Sequence, residues 1–303
     1  TLGDKLVNAL ETVRVCDPAV GSGAFLVGII QEIVLLRRGI LFSTRGYVEP
    51  TELYDNVSSW KRRAIESSLY GVDINPEAVE ICRLRLWLSM VLDMTEPPLP
   101  NSDWALPNLD FQIVMGDSLV DRVAGITFKE SWPTPQALQL EFELQGKLQS
   151  LERDITESKQ EFRSIQRDPT RLRELRDHIA TTQSQIICLH LDDAMGRAEH
   201  DAASAKNAAA KKRAQARIDQ IYALITDLDS RDFALVQKPF LWPTAFPEVL
   251  RQGDATSGFD IVLANPPYVR MENIDNEDER AYGEAFPEVR ASRADLLVYF
   301  YAR

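Results

Sequence analysis

The sequence predicts an α/β fold, built on a parallel sheet that a long α-helical insertion interrupts. Three observations lead to this prediction. Short apolar segments typical of strands alternate with apolar-periodic segments typical of helices. A glycine-rich turn joins the first of these strands to a helix, which is the arrangement of a ligand-binding α/β unit. A charged segment with helical periodicity, residues 136–231, then separates the last strand from the others.

Composition limits the class of protein. The 303 residues include 34 lysine and arginine against 46 aspartate and glutamate residues, so the net charge is -12. This balance argues against a surface devoted to nucleic acid, although a separate basic module can supply phosphate contacts. The three cysteines have no metal-ligand spacing, and no apolar run is long enough to cross a membrane. We therefore expect a soluble cytoplasmic protein without a metal site.

The glycine-rich turn indicates the kind of ligand. The first strand, residues 13–17, runs into Asp-Pro-Ala-Val-Gly-Ser-Gly-Ala-Phe. Gly21 and Gly23 permit a sharp turn close to a ligand, and an apolar helix begins near Phe25. Asp17 stands at the entry of a loop that in dinucleotide folds receives a pyrophosphate, and the third glycine of that motif is missing. A carboxylate there repels phosphate and attracts an amino group or a sulfonium, as in S-adenosylmethionine.

Two further strands end at acidic residues. A carboxylate at the end of the second strand suits ribose hydroxyls, although Asp73 follows Asp17 at more than the usual spacing and could only cap a helix. The third strand, residues 111–115, leads into a turn with Asp117. Its carboxylate could accept a hydrogen bond from an exocyclic amine, or it could only shape the turn. Because open α/β sheets bind ligands at the carboxyl ends of their strands, three acidic strand ends together favour a binding site.

The last strand, residues 259–263, ends at Asn-Pro-Pro-Tyr. We expect Ile261 and Val262 to be buried, because this run is apolar and rich in β-branched residues. Two prolines cannot continue a central sheet, so Asn265 is delivered to the carboxyl edge in a stiff turn beside the ring of Tyr268. A rigid row of acceptors beside an aromatic face suits a planar amine. The alternative is an ordinary proline-terminated strand.

The chain divides into three parts by composition. Residues 1–135 form the first part of the α/β core, and residues 136–231 form the helical insertion, with Pro169 near a turn or kink. Residues 232–303 form the second part of the core, which we expect to be incomplete at its C-terminus.

Three segments have simpler interpretations. Residues 37–68 are interpreted as a loop with short helices, and residues 273–288 as an acidic irregular loop. The insertion also contains a basic patch that is interpreted as a solvated helix face, with a phosphate contact as the alternative. The patch consists of Lys211, Lys212, Arg213 and Arg217.

Four motifs, in this order, resemble those of the amino-group DNA methyltransferases, above all the adenine-N6 enzymes of type IIG restriction-modification and phage-exclusion systems. They are Asp17-Pro18-Ala19-Val20-Gly21-Ser22-Gly23-Ala24-Phe25, Gly71-Val72-Asp73-Ile74-Asn75, Gly116-Asp117-Ser118 and Asn265-Pro266-Pro267-Tyr268. The resemblance implies a Rossmann-like sheet that binds S-adenosylmethionine and methylates adenine N6 at specific DNA sites. It also implies that double-stranded DNA is bound through a recognition domain outside this chain, with or without a nuclease domain or subunit.

The resemblance implies a role for individual residues as well. Asp73 takes the ribose hydroxyls and Asp117 the adenine amine of the cofactor, while Ile74 and Ser118 flank its adenine ring. The residues that hold its methionine part are Asp17, Pro18, Ala19, Gly21, Gly23 and Phe25. The catalytic turn, which accepts hydrogen bonds from the target amine and stacks on the flipped base, is Asn265, Pro266, Pro267 and Tyr268.

Two other functions are compatible with the same residues. A protein-glutamine N5 methyltransferase handles an amide nitrogen, which is a similarly poor nucleophile, and the same turn can serve it. A non-catalytic subunit would keep the cofactor fold and use the insertion for partner contacts. The Asp-Pro-Ala opening of the glycine loop and the long insertion favour DNA as the substrate.

Overall fold

The computed structural model describes residues 2–45, 57–94, 106–123, 126–127, 142–165, 168–228, 240–250, 257–289 and 295–303. The chain forms two compact units. Unit 1 comprises Thr1–Leu119, Arg163–Asp168 and Thr256–Arg303, and unit 2 comprises Val120–Phe162 and Pro169–Ala255. These contact-based bounds differ from the compositional division at residues 135 and 231. The extents of the functional domains therefore stay a prediction.

The elements follow one another in a strand-helix order that changes to helices alone in the insertion. They are α1 (Leu2–Thr12), β1 (Val15–Asp17), α2 (Ala24–Arg45), α3 (Val57–Ser67), β2 (Leu69–Asp73), α4 (Pro76–Val91), β3 (Ile113–Met115), β4 (Arg122–Val123), β5 (Ile126–Thr127), α5 (Phe142–Ser164), α6 (Pro169–Ser204), α7 (Ala208–Leu228), α8 (Trp242–Ala245), β6 (Ile261–Val262), a 3-10 turn (Met271–Asn273), α9 (Asn276–Ala285) and α10 (Leu296–Ala302).

Unit 1 is built around a parallel sheet with the strand order β3-β2-β1-β6. Val15 of β1 is paired with Leu69 of β2 on one side and with Ile261 of β6 on the other. The chain therefore builds the sheet outwards from β1 in one direction and then adds β6 on the opposite side. This reversal between β1 and β6 is a topological switch point, where open α/β sheets bind ligands. The predicted α/β class with a parallel sheet and a long helical segment is confirmed.

The core of unit 1 lies between this sheet and the helices that follow its strands. Helix α4 begins at Pro76 because the Asn75 side chain caps it, its Oδ1 accepting from the N–H of Glu77 (2.9 Å) and Ala78 (3.4 Å). Apolar residues of α4 then recur at helical spacing and are buried against the sheet. They are Val79, Cys82, Leu86 and Met90.

The prediction of a loop with short helices over residues 37–68 is correct in part, because the described residues of this segment are almost all helical. Helix α2 continues to Arg45, and α3 occupies Val57–Ser67. Arg37 of α2 donates from Nη1 to Glu11 Oε1 of α1 at 2.5 Å. Burial of Trp60 and Ile65 anchors α3. The mixed polarity of this segment arises because each helix is buried on one side only. Which side is buried depends on packing against other helices, which the local sequence does not specify.

Residues 273–288 are also helical where a loop was predicted. Helix α9 spans Asn276–Ala285. Its Tyr282 and the following Phe286 pack on Tyr299 of α10, with ring centroids 5.5 and 6.1 Å apart. The many acidic residues of this segment favoured the prediction of a loop. Tyr282 and Phe286 are an i, i+4 aromatic pair, and the ring on which they pack, Tyr299, lies further along the chain. An aromatic cluster thus orders the segment beyond β6.

Unit 2 contains the helices of the insertion. Pro169 is the first residue of α6, a position where a proline costs no hydrogen bond because the N–H there has no partner within the helix. Because α5 ends at Ser164, Pro169 lies at the start of a helix and does not kink one. Residues 205–207 join α6 to α7, a connection short enough for an antiparallel hairpin. The core between them includes Ile187, Leu191, Ala198, Ile221, Leu224 and Leu241. None of the helices in the described ranges is sufficiently long and apolar to span a bilayer.

A buried lysine links α5 to α8 within unit 2. Lys159 is 1% exposed, and its Nζ donates to the carbonyl of Ala245 and lies 3.2 Å from Glu248 Oε2. We expect Glu248→Gln to lower the free energy of unfolding by roughly 2 kcal/mol, because a buried ammonium then loses its charged partner. Urea unfolding measures this loss.

Two further variants test the same contact. Lys159→Met combined with Glu248→Gln should recover most of the stability, since both charges are then removed from the interior. Glu161→Gln is the control, because the Glu161–Arg171 pair is about half exposed, and its unfolding midpoint should not change. A Glu248→Gln variant as stable as this control would contradict the assignment.

Candidate functional site

The strand ends that the sequence singled out share one edge of the sheet. In the order of the strands, the residues at or just beyond these ends are Asp117, Asp73, Asp17 and Asn265. The register pairs Asp17 with Gly71, and Cys16 with Val262. Because all strands of this sheet are parallel, their carboxyl ends face the same side, with Asp17 and Asn265 on the two sides of the switch point.

Asp17 is the last residue of β1 and is only 1% exposed. Its Oδ1 accepts a hydrogen bond from the Ala19 N–H at 3.0 Å. Burial raises the pKa of Asp17 to about 6, the Ala19 N–H opposes this rise, and the nearby charge of Asp73 adds to it. Two neighbouring carboxyl groups, one of them buried, favour a cationic ligand over an anionic one.

Asp73 ties the glycine loop to the end of β2. Its Oδ2 accepts from the Gly21 N–H at 2.8 Å, and its Oδ1 accepts from the Asn75 N–H at 2.9 Å. An ionised carboxylate has about four lone-pair sites, so two backbone bonds leave sites for two further donors. The sequence predicted Asp73 as a ligand-binding residue. It gave no sign of this second role in shaping the loop.

The loop needs glycine at two positions. Gly21 has φ 49° and Gly23 has φ 79°, both in the left-handed region. A Cβ on Gly23 would lie 2.6 Å from the Sγ of Cys82 in α4, so this helix packs directly against the loop. Burial raises the pKa of the Cys82 thiol to about 12, so the thiol stays protonated. Cys82 of α4 thus limits the space beside the loop, a role that the sequence motifs do not indicate.

A second residue of α4 reaches the same loop. Arg85 donates from Nη1 to the hydroxyl of Ser22 at 3.0 Å. Arg85 lies three residues after Cys82, so both side chains project from one face of α4. Sequence reasoning missed both contacts. The only available signal was this spacing in the helix after the second strand, and it does not identify the partner.

The third strand end is joined to the glycine loop as well. Ser118 donates its hydroxyl to the carbonyl of Pro18 at 2.5 Å, and Asp117 Oδ1 accepts from the Leu119 N–H at 2.9 Å. Two apolar side chains near the same edge are exposed: Ile74 by 68% and Phe25 by 48%. The structure therefore brings the predicted residues of β1, β2 and β3 into one hydrogen-bonded group with exposed apolar surface beside it.

The exposure of the last strand, β6, differs from the prediction. Ile261 and Val262 were expected to be buried, but they are 42% and 63% exposed. Strand β6 lies at the edge of the described sheet and pairs there with β1 alone, so its apolar side chains are covered on fewer sides than those of β1. The β-branched run identified the strand correctly. Burial depends on neighbouring elements, which such a run does not specify.

The Asn-Pro-Pro-Tyr turn follows β6 and is fixed at both ends. The Leu263 N–H donates to the Cys16 carbonyl, and the Leu296 N–H of α10 donates to the Val269 carbonyl, both at 3.0 Å. Within the turn, the Pro266 ring is buried, whereas Asn265 is exposed and Tyr268 is 78% exposed. The turn thus presents an amide and an aromatic ring on a rigid base. No described hydrogen bond joins these two side chains to the acidic strand ends.

The comparison with known families identifies the chain. The sequence model of the Eco57I restriction-modification methylase family matches residues 67–303, which include β2, β3 and the Asn-Pro-Pro-Tyr turn. The chain belongs to this family. The resemblance predicted from the four motifs is therefore confirmed as far as a restriction-modification methylase.

One curated relative is consistent with this membership. It is the "Putative type II restriction enzyme and methyltransferase RM.MjaORFECS2P" of Methanocaldococcus jannaschii, which is 36% identical over 114 residues. The match covers 38% of this methylase chain and 9% of the relative. The chain therefore corresponds to a small part of that protein.

Proposed function

We propose that this methylase chain is the methyltransferase region of a site-specific DNA adenine-N6 methyltransferase, part of a restriction-modification or phage-defence enzyme. The observation that carries the proposal is the arrangement of the sheet edge. A pair of acids, of which Asp17 is buried and Asp73 is partly exposed, and a tight glycine loop lie on one side of the switch point. An exposed asparagine-tyrosine turn lies on the other side. The recognition domain for double-stranded DNA and any nuclease are proposed to lie outside this chain.

The residues at β1, β2 and β3 fit S-adenosylmethionine as the cofactor. Its amino group and sulfonium are cationic, which suits the buried Asp17 beside Asp73. The lone-pair sites left on Asp73 suit the ribose hydroxyls, and the exposed Ile74 suits the adenine ring. Asp117 and Ser118 complete the adenine side. When bound, this cofactor supplies a methyl group on an electrophilic sulfur.

Asn265 prepares the target nitrogen. The lone pair of an adenine N6 is delocalised into the ring, so this amine is a poor nucleophile. Hydrogen bonds from the amine to the Asn265 side-chain oxygen and the Pro266 carbonyl favour a pyramidal nitrogen with a directed lone pair. This role is positioning and charge stabilisation, and it requires no strong general base. The buried Pro266 ring keeps the acceptors from moving.

Tyr268 is suited to hold the base outside the duplex. An adenine stacked within DNA cannot reach the sheet edge, so it must be flipped out, and an exposed aromatic ring offers a stacking surface. Tyr268 is 78% exposed and lies three residues after Asn265, which is fixed to the same turn. Tyr268 therefore forms the wall of the target pocket on which the base stacks, and Asn265 contacts the amine at the edge of the base.

The ionisation of Asp17 should make cofactor binding depend on pH. Its pKa of about 6 means that the carboxyl is ionised above pH 6 and becomes protonated below it. A cationic cofactor binds the ionised form better, so affinity should fall by up to about tenfold per pH unit below pH 6. Calorimetric titration with S-adenosylmethionine from about pH 5 to pH 8 measures this. Asp17→Asn should bind more weakly at neutral pH and lack the inflection. A flat profile for the unaltered protein over this range would contradict the role of Asp17.

Transfer of a labelled methyl group tests the proposed function. The intact protein is incubated with methyl-labelled S-adenosylmethionine, duplex DNA and a cell extract, and DNA and protein are then separated. Label in DNA is the expected result. Label in protein alone would support the glutamine methyltransferase instead, and binding of the cofactor without transfer to either would support a non-catalytic subunit.

A further inference from the structure

Helix α7 and the turn before it carry a basic segment. It contains five cationic side chains between residues 206 and 217, with no acidic residue among them, in a chain of net charge -12. All five side chains are exposed. The basic segment consists of Lys206, Lys211, Lys212, Arg213 and Arg217.

These cations are available for an external partner. Within the described part of the chain, none of the five takes part in an ion pair or a hydrogen bond through its side chain. Asp219, the next acid along α7, already accepts from Gln215 Nε2 at 2.9 Å. Two exposed acids, Glu199 and Asp201, lie at the end of α6 on the same hairpin, so positive charge outnumbers negative charge there.

The beginning of α7 adds to this positive character. Asn207 caps the helix, with its Oδ1 accepting from the Ala210 N–H at 2.8 Å. The N-terminal end of a helix of 21 residues carries partial positive charge, and Lys211 and Lys212 lie in its first turns. Both the backbone and the side chains at this end therefore attract anions.

The chemistry of the segment favours a nucleic acid over a protein. The apolar side chains of α7, such as Ile221 and Leu224, are buried in the core of unit 2. Among the described residues from Lys206 to Arg217, the exposed side chains are mainly cations, alanine and glutamine, and one exposed aromatic ring, Tyr222 (67%), follows further along α7. Protein interfaces usually have several aromatic and aliphatic anchors at their centre. A surface with five cations and a single exposed aromatic ring is better suited to the phosphates of a polyanion than to an apolar protein interface.

We infer that the basic segment of α7 binds the phosphate backbone of duplex DNA, as a contact separate from the target pocket. This inference rests on the proposed function, since it takes DNA as the substrate. The contact carries no sequence information and holds the duplex by charge. It gives the insertion a cationic surface, although the chain as a whole has a net charge of -12.

A pair of matched variants tests the contact in the intact protein. The first neutralises the basic segment on α7 with glutamine, which preserves helix propensity. Its substitutions are Lys211→Gln, Lys212→Gln, Arg213→Gln and Arg217→Gln. The second removes four positive charges from exposed positions elsewhere that also lack described partners. Its substitutions are Lys5→Gln, Lys147→Gln, Arg153→Gln and Arg173→Gln. Circular dichroism checks that both remain folded.

Salt dependence of binding to a short duplex is the measurement. Each phosphate contact contributes about 0.9 to the slope of log affinity against log salt concentration. In the α7 variant the magnitude of this slope should decrease by about 2 to 4. Its affinity for DNA at about 0.1 M salt should fall at least tenfold, and this loss should be the same for duplexes of any sequence. The control variant should keep nearly the original slope, and the rate at saturating DNA should be unchanged in both.

The outcomes separate this inference from the proposed function. Equal slopes in the two variants would show that only net charge matters and would overturn the contact, and so would an unchanged slope in the α7 variant. Neither result would affect methyl transfer to DNA by the unaltered protein. Absence of that transfer would instead remove the proposed function. A loss of affinity for single-stranded RNA but not for duplex DNA would also overturn the inference.

Discussion

Replacing Asn265 with alanine is expected to reduce methyl transfer to DNA at least about a hundredfold, the effect of losing one positioned polar group in an active site. Cofactor affinity should stay within about twofold, because the glycine loop and its acids belong to other strand ends. Asn265 is exposed and lies beyond the last pairing of β6, so the folded state does not depend on its side chain. Single-turnover rates and cofactor titration measure the two quantities.

Asn273→Ala is the matched control for this variant. Asn273 is exposed in the same segment, and its described hydrogen bond to Arg270 uses the backbone N–H, which alanine retains. We expect its transfer rate to equal that of the unaltered protein. A similar rate for both variants would exclude Asn265 from the chemistry, whereas a parallel loss of cofactor binding in Asn265→Ala would point to a structural defect.

Gly23→Ala is expected to weaken the cofactor site through the backbone. The residue has φ 79°, and its new Cβ would meet the Sγ of Cys82 at 2.6 Å and the Cα of Cys82 at 3.3 Å. Backbone strain and displacement of α4 together should lower the free energy of unfolding by roughly 3 kcal/mol. Cofactor affinity should fall more than about tenfold, because the loop must approach its ligand closely.

Variants of two other glycines distinguish backbone strain from the contact with Cys82 as the cause of this effect. Gly21→Ala has the left-handed φ of 49° but no atom within 4 Å of the new Cβ, so it should cost only about 1 kcal/mol. Gly28→Ala lies inside α2 with no atom within 4 Å and should stabilise the protein by roughly 0.5–1 kcal/mol. Equal losses in Gly21→Ala and Gly23→Ala would show that contact with Cys82 has no part in the effect.

The residues at the sheet edge could be predicted from the sequence because each motif includes both an apolar strand and the polar residue at which that strand ends. An apolar run that stops at Asp17 or Asp73 defines both a strand and a position on the sheet. Parallel strands then place such ends on one edge without any knowledge of distances. Asn75 and Pro76 mark the start of α4 in the same local way. The acid at the entry of the glycine loop indicated a cationic cofactor, and the family resemblance added the proposed adenine substrate, which the local patterns do not specify.

The contacts that shape the loop could not be predicted, because they join residues far apart in the chain. Ser118 bonds to Pro18 across 100 positions, and Arg85 bonds to Ser22 across 63. The exposure of Ile261 and the helix at Asn276–Ala285 likewise depend on neighbours in space. Hydrophobic pattern indicates that a residue can be buried. The topology of the sheet decides whether it is.

Identification of the methylated nucleoside tests the central claim most directly. DNA treated with the intact protein and methyl-labelled S-adenosylmethionine is digested to nucleosides and analysed by mass spectrometry. We predict label in N6-methyldeoxyadenosine, at a level that falls at least about a hundredfold with Asn265→Ala. Label in N4-methyldeoxycytidine, or in protein glutamine without any in DNA, would contradict the assignment of this turn to a flipped adenine.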